Sequence, residues 1–482
     1  MDASSALRAR ALGYAASCRA PHCHLHGPSS DRSVHDASRR KGRESDGPLR
    51  LDHFPPARAV SAAREMSDMA VDRGLSIGDA FLVREFSLDI EPPISLAKSL
   101  EVALLRQGVA VNPGSIPLRA KLALLLFIQD QFDEALDLYS QLMRDAPQAE
   151  WGIMLAECHI SKETPEDDHA AEQMARRAVA LTVQPLQRAE AQAALGKALI
   201  RQGRIEEART TLRAALEADP SNTNVYKRLA ALDLQAGATQ DALDTADRLL
   251  EAGVGHSRLL VARVLALATQ GRIDDAREAV GLDRFLHREF LAAPPGWPDL
   301  AALNADVRAE LTRHPDIRFD RYGTASTKTW RVDQPAFASS VAIPALQEQI
   351  RRAVIDQVSR LEEQASTWTN ARPERGMLHN WCVLTDAEGY EEWHVHQGGW
   401  MSGVYYVDVP AAVRSGSGRE GCIAFGLPEH LVGQEASRQF GETLIRPKPG
   451  MLLLFPSHTY HRTFAHGSEG RRICLAFDIQ RG

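Results

Sequence analysis

Three histidines near the C-terminal end have the types and spacing that suit a metal. Glu391-Glu-Trp-His394-Val-His396 sets two imidazoles at i and i+2, and both project to one side if the backbone is extended. Phe455-Pro-Ser-His458-Thr-Tyr-His461 follows the Lys448-Pro-Gly450 turn and puts His461 65 residues past His396. A third ligand arriving from another strand gives an open, three-ligand site, and a catalytic metal needs such free positions for substrate and oxygen. Arg471 and Arg472 come ten and eleven residues after His461, where a guanidinium can grip a carboxylate through two parallel hydrogen bonds. His379, His430, His458 and His466 are expected at the surface or in ordinary hydrogen bonds. His458 is the competitor of His461 by position. Trp393, Trp400 and Tyr405 are candidates to line a pocket, although aromatic residues beside strands more often serve packing, and Cys422 and Cys474 are expected to be small buried strand residues.

Short β-rich runs carry these residues: His379-Asn-Trp-Cys-Val-Leu384, Met401-Ser-Gly-Val-Tyr-Tyr-Val407, Cys422-Ile-Ala-Phe425, Met451-Leu-Leu-Leu-Phe455 and Arg472-Ile-Cys-Leu-Ala-Phe-Asp-Ile479. Such runs separated by turns suit a double-sheet jelly roll. Ahead of them, Leu300 to Arg313 and Ile343 to Glu363 have helical period, and Ser326 to Trp330 is a predicted strand. After Phe290 the stretch Leu-Ala-Ala-Pro-Pro-Gly-Trp-Pro breaks helical periodicity, which places a domain boundary near 292 to 300.

The C-terminal region resembles the 2-oxoglutarate and iron(II)-dependent oxygenases, in particular a bacterial group with His-x-His followed by Ser-Gly-x-Tyr-Tyr. The matching residues are His394-Val-His396, Ser402-Gly403-Val-Tyr405-Tyr406, Pro449-Gly450, Phe455-Pro456-Ser457, His461 and Arg472, which span most of 375 to 482. The resemblance implies a double-stranded β-helix of jelly-roll or cupin-like form over 300 to 482, using Fe(2+), 2-oxoglutarate as co-substrate and molecular oxygen. It implies His394 and His461 as iron ligands, and Arg472 holding the distal carboxylate of 2-oxoglutarate with help from Tyr406. Arg471 is the neighbouring candidate. The wider superfamily has Asp or Glu where His396 stands, although the most similar group also has histidine. Ligand chemistry favours His396 as a ligand, with Glu391, Glu392 and Asp408 as substitutes if the loop bends. A neutral ligand leaves the iron one positive charge richer than a carboxylate would. The implied enzyme is a dioxygenase of hydroxylase type. Two alternatives stay open: a cupin-type three-histidine dioxygenase that uses no 2-oxoglutarate, and a non-catalytic scaffold.

The positioning elements upstream are repetitive. Gly203-Arg-Ile-Glu-Glu-Ala208, Gly237-Ala-Thr-Gln-Asp-Ala242 and Gly271-Arg-Ile-Asp-Asp-Ala276 recur every 34 residues, the period of the tetratricopeptide (TPR) repeat. The chain resembles that family at Leu195, Gly196, Leu199, Ala208, Leu212, Ala215 and Pro220, and at Leu122, Ala123, Leu126, Ala135, Tyr139 and Pro147. A degenerate copy, around Ala156 to Ala180, carries a polar insertion at Lys162 to Asp168. An α-helical solenoid is therefore expected over 97 to 290, with a concave face that holds a peptide or partner protein. The fold class is α+β multidomain: the TPR solenoid, then the jelly roll.

The 482 residues, 44% of them hydrophobic, are enough for two or three cores. A net charge of -7 from 56 basic and 63 acidic residues offers no footprint for nucleic acid or an anionic membrane. Six scattered cysteines argue against a disulfide framework and for a reducing, cytoplasmic location. No run reaches the roughly 20 apolar residues of a membrane span. Residues 1 to 95 form an N-terminal extension, and the first 65 or so, rich in Arg, Ser, His and Pro, are expected to be disordered. In them Cys18, His22, Cys23, His24 and His26 have metal-like letters without a second ligand pair. Asp2, Asp31, Asp36, Glu44 and Asp46 argue against a transit peptide. Met66 is an alternative start.

Overall fold

Between Lys98 and Val280 helices alternate with tight turns. After Lys98–Val111 come the pairs Ile116–Ile128 and Phe132–Asp145, Ala149–Lys162 and Pro165–Leu181, Pro185–Arg201 and Ile205–Ala218, Thr223–Gln235 and Thr239–Glu251, then Ser257–Thr269 and Ile273–Val280. Gly203, Gly237 and Gly271 close the first helix of three pairs with φ of +75°, +74° and +77°, a conformation that only glycine adopts without strain. The recurring letter is thus a recurring turn. Leu199, Ala208, Leu212 and Ala215 are buried, as are Leu122, Ala123, Ala135 and Tyr139. The polar run from Lys162 to Asp168 is no insertion. Glu163 takes φ 59° and Thr164 caps the next helix by accepting from the Asp167 amide at 3.1 Å, with Pro165 and three acids in its first turn.

The computed structural model describes residues 86–321, 323–361 and 365–482. The expected disorder of residues 1 to 65, the Cys18 to His26 letters, the transit-peptide question and the Met66 start all lie outside the described residues.

Strands flank the repeats on both sides. They are β1 (Ser87–Ile90), β2 (His287–Phe290), β3 (Arg318–Phe319), β4 (Ser326–Asp333), β5 (Arg375–Glu391), β6 (Gly399–Asp408), β7 (Ile423–Phe425), β8 (Thr443–Ile445), β9 (Met451–Pro456), β10 (His461–Thr463) and β11 (Arg472–Arg481). The large sheet runs β2-β9-β6-β11-β5-β4-β3, with β1 added in parallel to β5; the small one runs β10-β7-β8. The sheet therefore takes in chain from before the repeats, through β1, and from before the proline-rich stretch, through β2 on β9.

Alternation along β11 explains the layering. Ile473, Leu475, Phe477 and Ile479 face the helices Leu300–Thr312 and Ala342–Leu361 in one core, whereas Cys474 joins Tyr406, Leu453, Phe455 and the small-sheet residues Ile423, Phe425 and Ile445 in another. Arg472 and Asp478 have the parity of Cys474, so they sit on the inter-sheet side. The last repeat packs on this domain through Val261, Leu265 and Ile273 against Leu427, Val432 and Tyr460. Among the described residues no helix is long and apolar enough to cross a membrane.

Candidate metal centre

Past β5 the chain stays extended. The His394 amide donates to the His461 carbonyl and the His461 amide to the His394 carbonyl, both at 3.0 Å, and the His396 amide donates to Ser457 O at 3.0 Å. Residues that exchange both hydrogen bonds stand directly opposite on an antiparallel ladder. The ladder therefore brings His394 and His461 together across 67 positions of sequence. One ligand atom from each of His394, His396 and His461 lies within 4.8 Å of the others, and the ring centroids are 4.1, 4.9 and 5.3 Å apart. His396 and His461 are buried, while His394 is half-buried.

Each ring has an acceptor behind it. His394 Nδ1 lies 2.7 Å from Glu392 O, His396 Nδ1 2.6 Å from Asp478 Oδ1, and His461 Nδ1 3.0 Å from Thr459 O. These partners assign the Nδ1–H tautomer, so the Nε2 lone pairs are the ones left to converge. Burial and then the neighbouring His396 push His394 down to about 3. His461 is held well below its ordinary value by burial and then by His394 and His396. Neutral imidazoles are the form that binds metal. Phe455 and Phe425 lie against His461, with centroids 4.9 and 5.9 Å away, and Trp381 lies 5.2 Å from His396.

The nearby carboxylates that could have replaced His396 are occupied elsewhere. Glu391 is held by Ser326 at 2.7 Å, Glu392 accepts from the Tyr390 hydroxyl at 3.1 Å, and Asp408 pairs with Arg308 at 3.0 Å. Asp478 is the carboxylate that sequence reasoning missed. It binds both His396 and the Ser402 hydroxyl, the latter at 2.7 Å, and Ser402 in turn contacts Ser457 at 2.6 Å. Gly399 makes room, because a Cβ there would lie 2.6 Å from Ser457 Oγ and 3.0 Å from the Asp478 side chain. The signal was strand parity: six residues past Arg472, Asp478 returns to the same face.

Arg472 is buried on that face. It donates to Gly421 O and Thr463 Oγ1 at 3.0 Å each and to Thr385 Oγ1 at 3.5 Å, while its Nε is buried without a partner among the described residues. Tyr406 is buried nearby, its phenol pushed up by burial against the opposing pull of Arg472. Arg471, the neighbouring candidate, is placed elsewhere. Its guanidinium is committed to Asp386 at 2.8 and 3.1 Å, since adjacent strand residues point to opposite faces. His458 also lies apart, with Nε2 3.2 Å from Ala279 O in the last repeat. His379 meets Glu91, and His466 meets Thr385 O. Trp400 stacks on Trp368 and Tyr405 donates to Asn304, both packing roles.

A cleft of about 390 Å³ opens beside the centre, lined by Trp393, Gly426, His430, Arg438, Glu442 and Arg462. None of the three imidazoles lines it. Trp393 and Arg462, the chain neighbours of His394 and His461, stack 4.5 Å apart at its wall.

Comparison with known proteins agrees with this division of the chain. Residues 379–478 match the family described as "Putative 2OG-Fe(II) oxygenase", and residues 189–232 match the tetratricopeptide repeat. A thermophilic TPR protein of Thermus thermophilus is similar at 20% identity over 35% of this chain and 90% of its own, with a TM-score of 0.30. A prolyl-4-hydroxylase of Pseudomonas putida is similar at 14% identity over 44% of this chain and 99% of its own, with a TM-score of 0.27. No curated protein matches the chain. The chain thus carries tetratricopeptide repeats followed by a domain of the 2OG-Fe(II) oxygenase family.

Proposed function

We propose that the C-terminal domain is an iron(II)- and 2-oxoglutarate-dependent oxygenase that hydroxylates a peptide or protein side chain presented by the repeats. The observation that carries this is the convergence of three imidazoles, each backed at Nδ1, on the same inter-sheet side as a buried guanidinium whose Nε has no partner among the described residues. The donor set fits. His394, His396 and His461 would hold the iron and leave positions for co-substrate and oxygen. The unpartnered Arg472 Nε fits an incoming carboxylate, which Arg472 would fix with the Tyr406 hydroxyl beside it.

When bound, iron and 2-oxoglutarate supply the oxidising chemistry, with succinate and carbon dioxide as co-products. The protein's part is orientation and electrostatics. Asp478 holds the His396 Nδ1 proton and brings negative charge close to a centre that lacks a carboxylate ligand. Phe425, Phe455 and Trp381 exclude water from the buried side. The cleft walled by Trp393 and Arg462, the chain neighbours of His394 and His461, would receive the substrate segment next to the centre. Buried free thiols at Cys158, Cys382, Cys422 and Cys474 suit a cytoplasmic enzyme.

The test is anaerobic loading with iron(II), then succinate formation from 2-oxoglutarate in air, for wild type, His461→Ala and Arg472→Ala. Loss of succinate in both variants is expected. An iron-loaded wild type that neither forms succinate nor shows the visible absorbance of bound 2-oxoglutarate would overturn the assignment. Metal content alone does not decide, because zinc outcompetes ferrous iron at nitrogen sites.

A further inference from the structure

His458 stays outside the group of three imidazoles, yet it is only 1% exposed. Its Nε2 lies 3.2 Å from the carbonyl of Ala279, 179 positions earlier in the chain. Burial pushes the ring down to about 4 against the opposing pull of that bond, so the imidazole is neutral and Nε2–H is the donor. Nδ1 is buried with no partner among the described residues. A buried imidazole is a costly way to fill space unless its hydrogen bond is needed, and Ala279 O is the partner it has. Ala279 is the second-last residue of Ile273–Val280, the last helix of the repeats. The final carbonyls of a helix lack intrahelical donors and carry partial negative charge, so this one suits an N–H from outside.

The residues on either side of His458 hold the metal centre. Ser457, His458, Thr459 and Tyr460 form the buried turn between β9 and β10. Ser457 O accepts the His396 amide and Thr459 O faces His461 Nδ1, each at 3.0 Å. The Ser457 hydroxyl meets Ser402, which donates to Asp478. His458 and Tyr460 go the other way: Tyr460 joins the core that contains Ile273 and Val280 of the same repeat helix. One face of the turn therefore sets the ligands, and the other rests on the last repeat.

We propose that His458 is a positioning residue for the metal centre: by donating to the end of the last repeat helix it fixes the Ser457–Tyr460 turn, and through Thr459 O and Ser457 O it fixes the settings of His461 and His396. Tyr460 supplies apolar packing at this contact, and His458 supplies direction. The last repeat is then part of the support of the centre. The consequence for the metal rests on the assignment under Proposed function, whereas the fixing of the turn stands without it.

The experiment compares His458→Gln, whose amide N–H reaches the place of Nε2, with His458→Asn, whose amide stops short of Ala279 O. Arg277→Gln is the control, since it removes the bonds from the same helix to Gln439 O and Phe440 O without touching the turn. The full chain is titrated with cobalt(II), and hydrogen exchange is followed separately in EDTA. In His458→Asn cobalt(II) affinity should fall about 3–10-fold, less than the 10–100-fold loss of a partner bonded directly to a ligand, with an altered visible absorption. Exchange at the His396 and Thr459 amides should quicken. His458→Gln and Arg277→Gln should keep wild-type affinity, absorption and exchange. A melting curve on each variant shows that it is folded, and His458→Leu replaces His458→Asn if that one is not. Wild-type affinity and exchange in His458→Asn, an equal loss in His458→Gln, or an equal loss in Arg277→Gln would each overturn the proposal. A wild type that binds no cobalt(II) would overturn the metal assignment instead, and the exchange comparison would still decide whether His458 fixes the turn.

Discussion

The repeats and the sheets hold their key residues in opposite ways. In the repeats a position is filled by the same kind of residue every 34 residues, and each helix pair leans on the next. In the sheets every residue of the centre occurs once, and its partners come from distant chain: His394 opposite His461, His396 on Asp478, Arg472 on Gly421 and Thr463. Damage to a repeat should therefore stay local, whereas damage behind the centre should reach the metal without unfolding anything.

Leu212→Ala gives the largest effect. Leu212 is fully buried in the repeat core, and truncating such a leucine costs about 2–5 kcal/mol. Hydrogen exchange should quicken in the helices from Pro185 to Gln235 while the amides of β5, β6 and β11 keep their protection. Cobalt(II) titration should give the wild-type affinity. If exchange quickens equally in both regions, the contrast is wrong and the chain unfolds as one unit.

Asp478→Asn tests the other half. The variant keeps the shape of the side chain but loses its charge behind His396. Loss of such a partner lowers metal affinity about 10–100-fold. The cobalt(II) affinity should fall in that range with little change in melting temperature. An unchanged affinity would mean that the carboxylate only fills space among Ser402, Ser457 and Gly399.

The same contrast governs what the sequence discloses. Periodicity exposes the repeats because each copy restates the pattern, and Gly203, Gly237 and Gly271 mark their turns. His394, His396, His461 and Arg472 are legible because each has chemistry that packing does not need. β1 and β2 are not legible, since four-residue strands carry too little alternation, and each pairs with a strand from another part of the chain, β5 or β9. Asp478 is obscured by its setting among the apolar letters of β11; only parity with Arg472 separates it from a surface acid. Arg471 looks equivalent to Arg472 until the strand's alternation sends it to Asp386.

The smallest effect concerns β1, which ties the chain ahead of the repeats to β5. His379 Nδ1 lies 2.8 Å from Glu91 Oε2, just past the end of β1. His379 is raised above its ordinary 6.5, chiefly by that hydrogen bond. Burial pushes Glu91 up, but His379 and Gln334 bring it below 4.5. The histidine's contribution is fully present below 6.5 and is lost as pH rises through its raised folded value. The carboxylate's contribution is present above 4.5 and is lost as pH falls through its lowered value. The pair therefore stabilises most between those two ordinary values. With the His379 side chain 37% exposed, solvent screening keeps the gain below about 1 kcal/mol. His379→Gln should lower the melting temperature by about 1–2 °C near pH 5.5 and leave it almost unchanged near pH 8. An equal drop at both pH values would show that β1 is held by Leu88 and the backbone ladder, with the ion pair adding nothing.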